Sequence, residues 1–267
     1  MPTSRHERAA RNLGYRTIAG LDEAGRGALF GPVFAAAVVL DPARPLRGLD
    51  DSKRLDPERR RVLALRIRER AIAWAVGAAD AFEIDRVNIL EASRLSMSRA
   101  LARLPVACDY LLTDAMRLDV SLPQVPLIHG DALCRSIAAA SILAKVERDA
   151  ALEAWDRVFP EYGLAHNKGY GTWDHLEALR RIGPTPLHRF SFEPVRNACP
   201  RPLQSTGVSG SANGATPTST ARGAYTAPAT NESGAYTAPA TNGSGAYTWT
   251  GYPRRAQFQQ TELFACP

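Results

Sequence analysis

The chain is poor in the residues that hold soft metals or covalent cross-links. Its 267 residues include 4 cysteines and 5 histidines. Cys108, Cys134, Cys199 and Cys266 stand far apart and match no zinc spacing, and His6, His166, His175 and His188 show no ligand spacing either. That pattern excludes a zinc module and a disulfide scaffold, and it predicts a reduced, cytoplasmic protein. Long apolar runs are also missing, so no membrane span and no membrane partner are expected. Met1–Asn12 is polar and basic without an apolar stretch, which predicts no secretory signal. What is there is an ordinary 45% hydrophobic fraction, enough to bury a core in one or two domains. The net charge of +6 permits a polyanionic partner without requiring one.

Large aliphatic residues run out near Pro200. Arg201–Ala256 is rich in Gly, Ala, Ser, Thr, Pro and Asn. Such a stretch buries too little apolar surface to offset chain entropy, so disorder is predicted. It repeats internally: Gly223–Asn231 reads GAYTAPATN, Gly234–Asn242 copies it, and Gly245–Thr248 begins a third copy. The unit is too short and polar for a solenoid, which makes this a low-complexity linker. Three divisions follow: a folded domain at 13–200, the linker at 201–256 and a terminal peptide at 257–267.

The first division reads as α/β. Strands are expected at Thr17–Glu23, Val33–Leu40, Ala71–Ala78, Tyr110–Thr113 and Val125–Ile128. Helices are expected at Asp56–Arg70, Glu83–Leu104, Cys134–Trp155 and Thr172–Ile182. Three strands in succession, then strands alternating with helices, predict a mixed sheet covered by helices.

Candidate chemistry begins at Leu21–Gly27, which reads Leu-Asp-Glu-Ala-Gly-Arg-Gly. Two carboxylates close a strand and a glycine-rich turn follows, a combination suited to hard cations and phosphates together. In a strand Asp22 and Glu23 point to opposite faces, so one side chain or a backbone carbonyl could serve rather than both head groups. Asp114 also ends a strand, and Asp131 follows one and precedes a helix. If those strands are neighbours, four acids gather at one sheet edge. Carboxylates without histidine or cysteine favour Mg²⁺ or Mn²⁺ over Zn²⁺, in a site that commonly holds two ions. Each acid has a plainer use: Asp114 as a turn residue, Asp131 as the N-cap of the Ala-rich helix.

At this point the chain resembles a known family. From about Thr17 to Val195 it is similar to bacterial ribonuclease HII. The resemblance rests on separated blocks in order: Asp22–Gly27, Asp51–Leu55, Glu83-Ile84-Asp85 with Asn88-Ile89-Leu90, Leu112-Thr113-Asp114 and Gly130-Asp131. Ser136–Asp149, Lys168–Thr172, and His188-Arg189 with Ser191-Phe192 complete the series. The resemblance implies an RNase H-like fold, a mixed five-stranded sheet flanked by helices. It implies an endoribonuclease that cuts RNA in RNA–DNA hybrids, and incises 5′ to ribonucleotides embedded in duplex DNA, leaving 3′-hydroxyl and 5′-phosphate ends. Asp22, Glu23, Asp114 and Asp131 match the family's metal-binding acids. Gly25, Arg26 and Gly27 match the turn that contacts the ribonucleotide, and Tyr170 the tyrosine that packs on the adjoining deoxyribose. Lys53, Asn88 and Lys145 sit in family blocks and are expected to touch the substrate backbone or support the site. Glycines permit close backbone approach, and telling RNA from DNA requires reading the 2′-hydroxyl.

The chain departs from the family's pattern at His129, where Lys is usual, at Asn167, where His is usual, and at Ala115, where Gly is usual. None removes an acid. At the far end Gln260-Thr261-Glu262-Leu263-Phe264 resembles the bacterial sliding-clamp-binding pentapeptide, which implies a clamp partner held by Gln260, Leu263 and Phe264 on a flexible tether. Two other classes stay open on the residues alone: a structure-specific DNA endonuclease of the same fold, and a non-catalytic adaptor. The Gly-Arg-Gly turn with Tyr170 argues against the first, and retention of all four acids against the second.

Overall fold

The computed structural model describes residues 1–199, so the linker and the terminal peptide with Gln260, Leu263 and Phe264 lie outside the described residues. The chain runs α1 (Arg5–Asn12), β1 (Ile18–Ala24), β2 (Val33–Val39), α2 (Pro57–Arg70), β3 (Ala73–Ala79), α3 (Ala81–Val87) and α4 (Ile89–Ala102). It continues through β4 (Tyr110–Asp114), β5 (Gln124–Leu127), α5 (Gly130–Leu133), α6 (Arg135–Asp156), α7 (Leu164–Asn167), α8 (Trp173–Ile182) and α9 (Glu193–Ala198).

Five strands form one mixed sheet in the order β3-β2-β1-β4-β5. β1 to β3 pair antiparallel, and β4 and β5 add on parallel to β1. The apolar run of β2 has no polar alternation because both its faces are covered. Ala36 and Val38 pack with Leu63, Ala64 and Ile67 of α2 and with Ala138–Ala140 of α6. Ala35, Ala37 and Val39 pack on the other side with Met97 and Ala100 of α4. Small side chains on both partners let α6 lie close. At Gly20 in β1 an added Cβ would sit 2.2 Å from the Ser136 carbonyl carbon, so any side chain there would push α6 off the strand.

α2 starts where expected, with Asp56 capping the Arg59 N–H and Pro57 in the first turn. Val62 and Leu65, which shared its apolar spacing, face solvent. The helix expected across Glu83–Leu104 is instead two helices. Asn88 breaks it with φ 71° and ψ 165°, and its side chain caps the N–H groups of Leu90 and Glu91. Asp80 and Glu83 form a reciprocal cap at the start of α3. α1 lies before residue 13, where the sequence reading began the domain, yet it belongs to the same compact unit, Met1–Cys199. Its buried Glu7 accepts from the Ser136 N–H (2.8 Å) and the Cys134 thiol (3.2 Å) at the head of α6. No helix among the described residues is long and apolar enough to cross a membrane.

Candidate active site

Strand register decides which acids meet. Leu21 of β1 pairs with Thr113 of β4 in parallel, so the next residues, Asp22 and Asp114, stand side by side on one face. That face looks onto α6, whose Ser141 hydroxyl bonds Asp22 and is itself 2.9 Å from the Ser52 hydroxyl. Asp114 Oδ1 accepts the Gly130 N–H at 2.7 Å, which draws Asp131 alongside. Asp131 lies inside the short helix α5, and Cys134 is the residue that precedes α6. Capping the Ala-rich helix is therefore not the role of Asp131.

Each aspartate commits one oxygen to a backbone N–H: Asp22 to Glu23 (2.7 Å), Asp114 to Gly130, and Asp131 to Ala132 (2.9 Å). Among the described residues no group of three or more His, Cys, Asp or Glu is placed so that it could hold a metal ion. The charges are nevertheless crowded. Burial, then Glu23 and Asp114, holds the Asp22 carboxyl well above its ordinary range. Burial first, and Asp114 against the opposing pull of Arg26, lifts Glu23 to about 7. Asp131 is raised by burial, then by Asp51 and Asp114. Glu23 Oε2 is buried with no hydrogen-bond partner. Like charges packed this closely invite a cation. One arrives from the protein itself. Burial lowers Lys53, yet Asp131, Asp51, Asp22 and Asp114 outweigh it and hold the ammonium above its usual value.

The turn that follows Glu23 closes over a buried arginine. Gly25 has φ 97°, and an added Cβ there would lie 1.9 Å from Arg148 Nε. Arg26 reaches back to Glu23 at 3.4 Å. At Gly27 an added Cβ would make ordinary contact, 3.9 Å, with the Tyr170 ring. The Leu29 N–H donates to the Gly169 carbonyl at 2.7 Å, tying the turn to the loop that carries Tyr170. Tyr170 is 39% exposed, its ring lying over the Arg148 guanidinium at 5.3 Å. Arg148 is fully buried and makes no hydrogen bond through any of its three nitrogens. The Gly-Arg-Gly turn and Tyr170 thus form one surface beside the acids.

Two expected residues are engaged elsewhere. Lys145 bonds Asp149 at 2.7 Å, and Asp149 also takes Arg60 at 3.3 Å, a link between α6 and α2. Asn88 caps α4. The departures have local uses. Asn167, buried, donates to the Tyr162 carbonyl and accepts the Gly169 N–H, which shapes the turn before Tyr170. Ala115 and His129 both take left-handed backbone, φ 53° and 57°, on either side of the β5 crossover. Residues that the acid pattern did not single out also converge here: Asp51, Ser52 and Ser141 by the aspartates, and Arg148, His175, His188 and Arg189 beneath the turn and Tyr170. Their signal in the sequence was membership of shared blocks, or nothing at all for His175.

A family model described as Ribonuclease HII matches residues 19–195. The ribonuclease HII of Solibacter usitatus is 61% identical over 190 residues, 71% of this chain and 83% of the relative. That of Koribacter versatilis is 55% identical over 193 residues, 72% and 76% of the two chains. Among solved structures, the ribonuclease H2 of Pyrococcus horikoshii is similar with TM-score 0.58 and 27% identity over 68% of this chain and 97% of that one. The ribonuclease HII of an Archaeoglobus fulgidus PCNA complex gives TM-score 0.58 and 26% identity over 70% and 98%. With the five-stranded mixed sheet and the acids at its edge already in place, these matches settle the family: the chain belongs to the ribonuclease HII family and is a ribonuclease H.

Proposed function

We propose that this endonuclease hydrolyses the RNA strand of RNA–DNA hybrids and incises 5′ to ribonucleotides embedded in duplex DNA, with Asp22, Glu23, Asp114 and Asp131 as the metal-binding acids. The observation that carries the reading is the register of β1 on β4. It sets the buried carboxylate of Asp22 beside the half-buried one of Asp114, next to a glycine turn packed against an exposed tyrosine.

The donor set fits hard divalent cations, Mg²⁺ or Mn²⁺. The donors are carboxylate oxygens, one Glu23 oxygen is buried without a partner, and the acids raise one another's pKa values. When bound, a pair of such ions supplies a polarised water and neutralises charge on the scissile phosphate. The protein's own part is positional. Backbone N–H groups and Ser141 fix the aspartates, and Lys53 tempers their repulsion. Gly25–Gly27 lets the backbone approach the ribose closely enough to read its 2′-hydroxyl, and Arg26 offers a planar fork to a phosphate. The Tyr170 ring covers the next sugar, where a hydroxyl would collide.

A duplex with a single ribonucleotide, offered to wild type and to Asp22→Asn with Mg²⁺ and Mn²⁺ in parallel, tests this. Wild type is expected to leave a 3′-hydroxyl and a 5′-phosphate, and Asp22→Asn to lose at least about 100-fold in rate, about 2.7 kcal/mol of barrier. Equal cleavage by both would refute the assignment.

The terminal peptide 257–267 would bind a sliding clamp through Gln260, Leu263 and Phe264, at the end of the 201–256 linker. That the Archaeoglobus fulgidus relative forms a complex with PCNA supports a partner of this kind. Capture of purified bacterial clamp by a Gln257–Pro267 peptide, lost in a Leu263→Ala, Phe264→Ala control, is the expected result. No capture above the control ends the idea.

A further inference from the structure

The dipeptide His188-Arg189 is fully buried, and so is His175 in the first turn of α8. His188 and His175 are joined in one hydrogen-bonded path whose proton positions follow from its two ends. At one end the Thr185 backbone N–H donates to His188 Nδ1 at 2.9 Å, so Nδ1 carries no proton and Nε2 does. At the other end His175 Nδ1 lies 2.9 Å from the Tyr170 carbonyl oxygen, which can only accept, so His175 Nδ1 carries the proton and Nε2 is bare. The middle contact, His188 Nε2 to His175 Nε2 at 3.1 Å, then has one proton and one acceptor. Both ends demand the same middle, and each imidazole is neutral. The edges and faces of Phe30 and Tyr162 hold the rings in place.

Arg189, the next residue, points the other way along the site. Its Nε donates to the Gly31 carbonyl at 2.9 Å and a terminal nitrogen to the Arg26 carbonyl at 2.8 Å. Its own backbone N–H donates to the Leu29 carbonyl, and His188 bridges Phe30. Arg189 directly, and His188 through His175, therefore reach two backbone carbonyls. One belongs to the Gly25–Gly27 turn and the other to Tyr170.

From this we infer that His188, Arg189 and His175 are positioning residues that set the gap between the Gly25–Gly27 turn and Tyr170, and thereby the discrimination of a ribose–deoxyribose junction from continuous RNA. None of the three touches substrate; Arg189 and His175 act through backbone carbonyls, and His188 acts through His175. The inference rests on the reading of the turn and Tyr170 as the junction-reading surface. A continuous RNA strand offers no deoxyribose beneath Tyr170 at internal cuts, so loss of the brace falls on the embedded-ribonucleotide substrate.

Single-turnover cleavage of two duplexes tests it, one with a single embedded ribonucleotide and one with an all-RNA strand on DNA. His175→Phe removes the donor to Tyr170 and leaves His188 Nε2–H without an acceptor. It is expected to lose about 10- to 100-fold on the embedded ribonucleotide, as a misplaced positioning group does, and under threefold on the hybrid. His175→Gln, whose amide can accept and donate in the same order, is expected to recover most of the loss. His175→Asn, a smaller change too short to span the gap, is read in the same way where His175→Phe does not fold. ¹⁵N spectra of the wild type are expected to show His188 as the Nε2–H tautomer and His175 as the Nδ1–H tautomer. The opposite tautomer at either ring, an equal loss on both duplexes, or no loss overturns the brace. A wild type that leaves the embedded ribonucleotide uncut overturns the substrate reading, a separate outcome.

Discussion

Gly25 answers two separate demands, and its neighbour Gly27 answers neither. At Gly25 the backbone sits at φ 97° and the space for a Cβ is filled by Arg148 Nε. Gly25→Ala is therefore expected to cost about 1–3 kcal/mol of stability and to displace the turn, with activity lost in step. At Gly27 a methyl group makes only ordinary contact with the Tyr170 ring. Gly27→Ala should leave the stability within about 0.5 kcal/mol of wild type. Any loss of cleavage in that variant then reports obstruction of a sugar approaching the turn. Melting curves beside cleavage rates separate the two cases. A Gly27→Ala enzyme as active as wild type would show that the backbone there is not approached closely.

The α3–α4 joint shows an element boundary set by one residue. Asn88 holds φ 71° and ψ 165°, a region that glycine alone visits freely, while its Oδ1 accepts the Leu90 and Glu91 N–H groups. Asn88→Ala loses the cap and keeps the strain, with an expected cost of about 1–2 kcal/mol. Asn88→Gly loses the cap and relieves the strain, so its stability should lie within about 1 kcal/mol of wild type. If Asn88 serves only the joint, Asn88→Gly cleaves hybrid at the wild-type rate. A stable but slow Asn88→Gly would restore the substrate contact that the family block implies. The periodic pattern over Glu83–Leu104 hid this joint because both helices bury the same kind of apolar face, and a one-residue break barely disturbs the spacing.

Two buried groups of titrating residues shape the stability of the whole folded unit in opposite directions. Burial and the nearby Asp114 raise Glu23 to about 7 against the ordinary 4.5, and Asp22 moves the same way. The native state then binds more protons than the unfolded chain, so stability falls as pH climbs between those values. Burial, then His175, lowers His188 from 6.5 to about 3. Here the unfolded chain takes the proton that the native state refuses, so stability falls as pH drops below 6.5. The metal-free protein is thus expected to melt at its highest temperature at about pH 5–6, between these limits. Calorimetry across the range checks it. Glu23→Gln should flatten the alkaline limb by about 2–3 kcal/mol, and Mg²⁺ should raise the melting temperature above neutrality far more than in acid. An alkaline limb unchanged in Glu23→Gln would place the titration on another group.

What the sequence by itself determined was local or cumulative. The five strands and the main helices followed from apolar runs and their period, and the acids from their places at strand ends. The family followed from many short blocks in one order. Burial on both faces explained afterwards why β2 reads as an unbroken apolar run. Tertiary structure alone decided which of those acids share a face, because that depends on the register of β1 against β4, across some ninety residues of chain. It also removed the alternative use of Asp131 as a helix cap, and it joined His175 to His188 in one path, with Arg189 beside it, beneath the turn and Tyr170. A hydrogen bond between residues far apart in sequence leaves no periodicity to read. Its partners are chosen by packing, and only the folded chain names them.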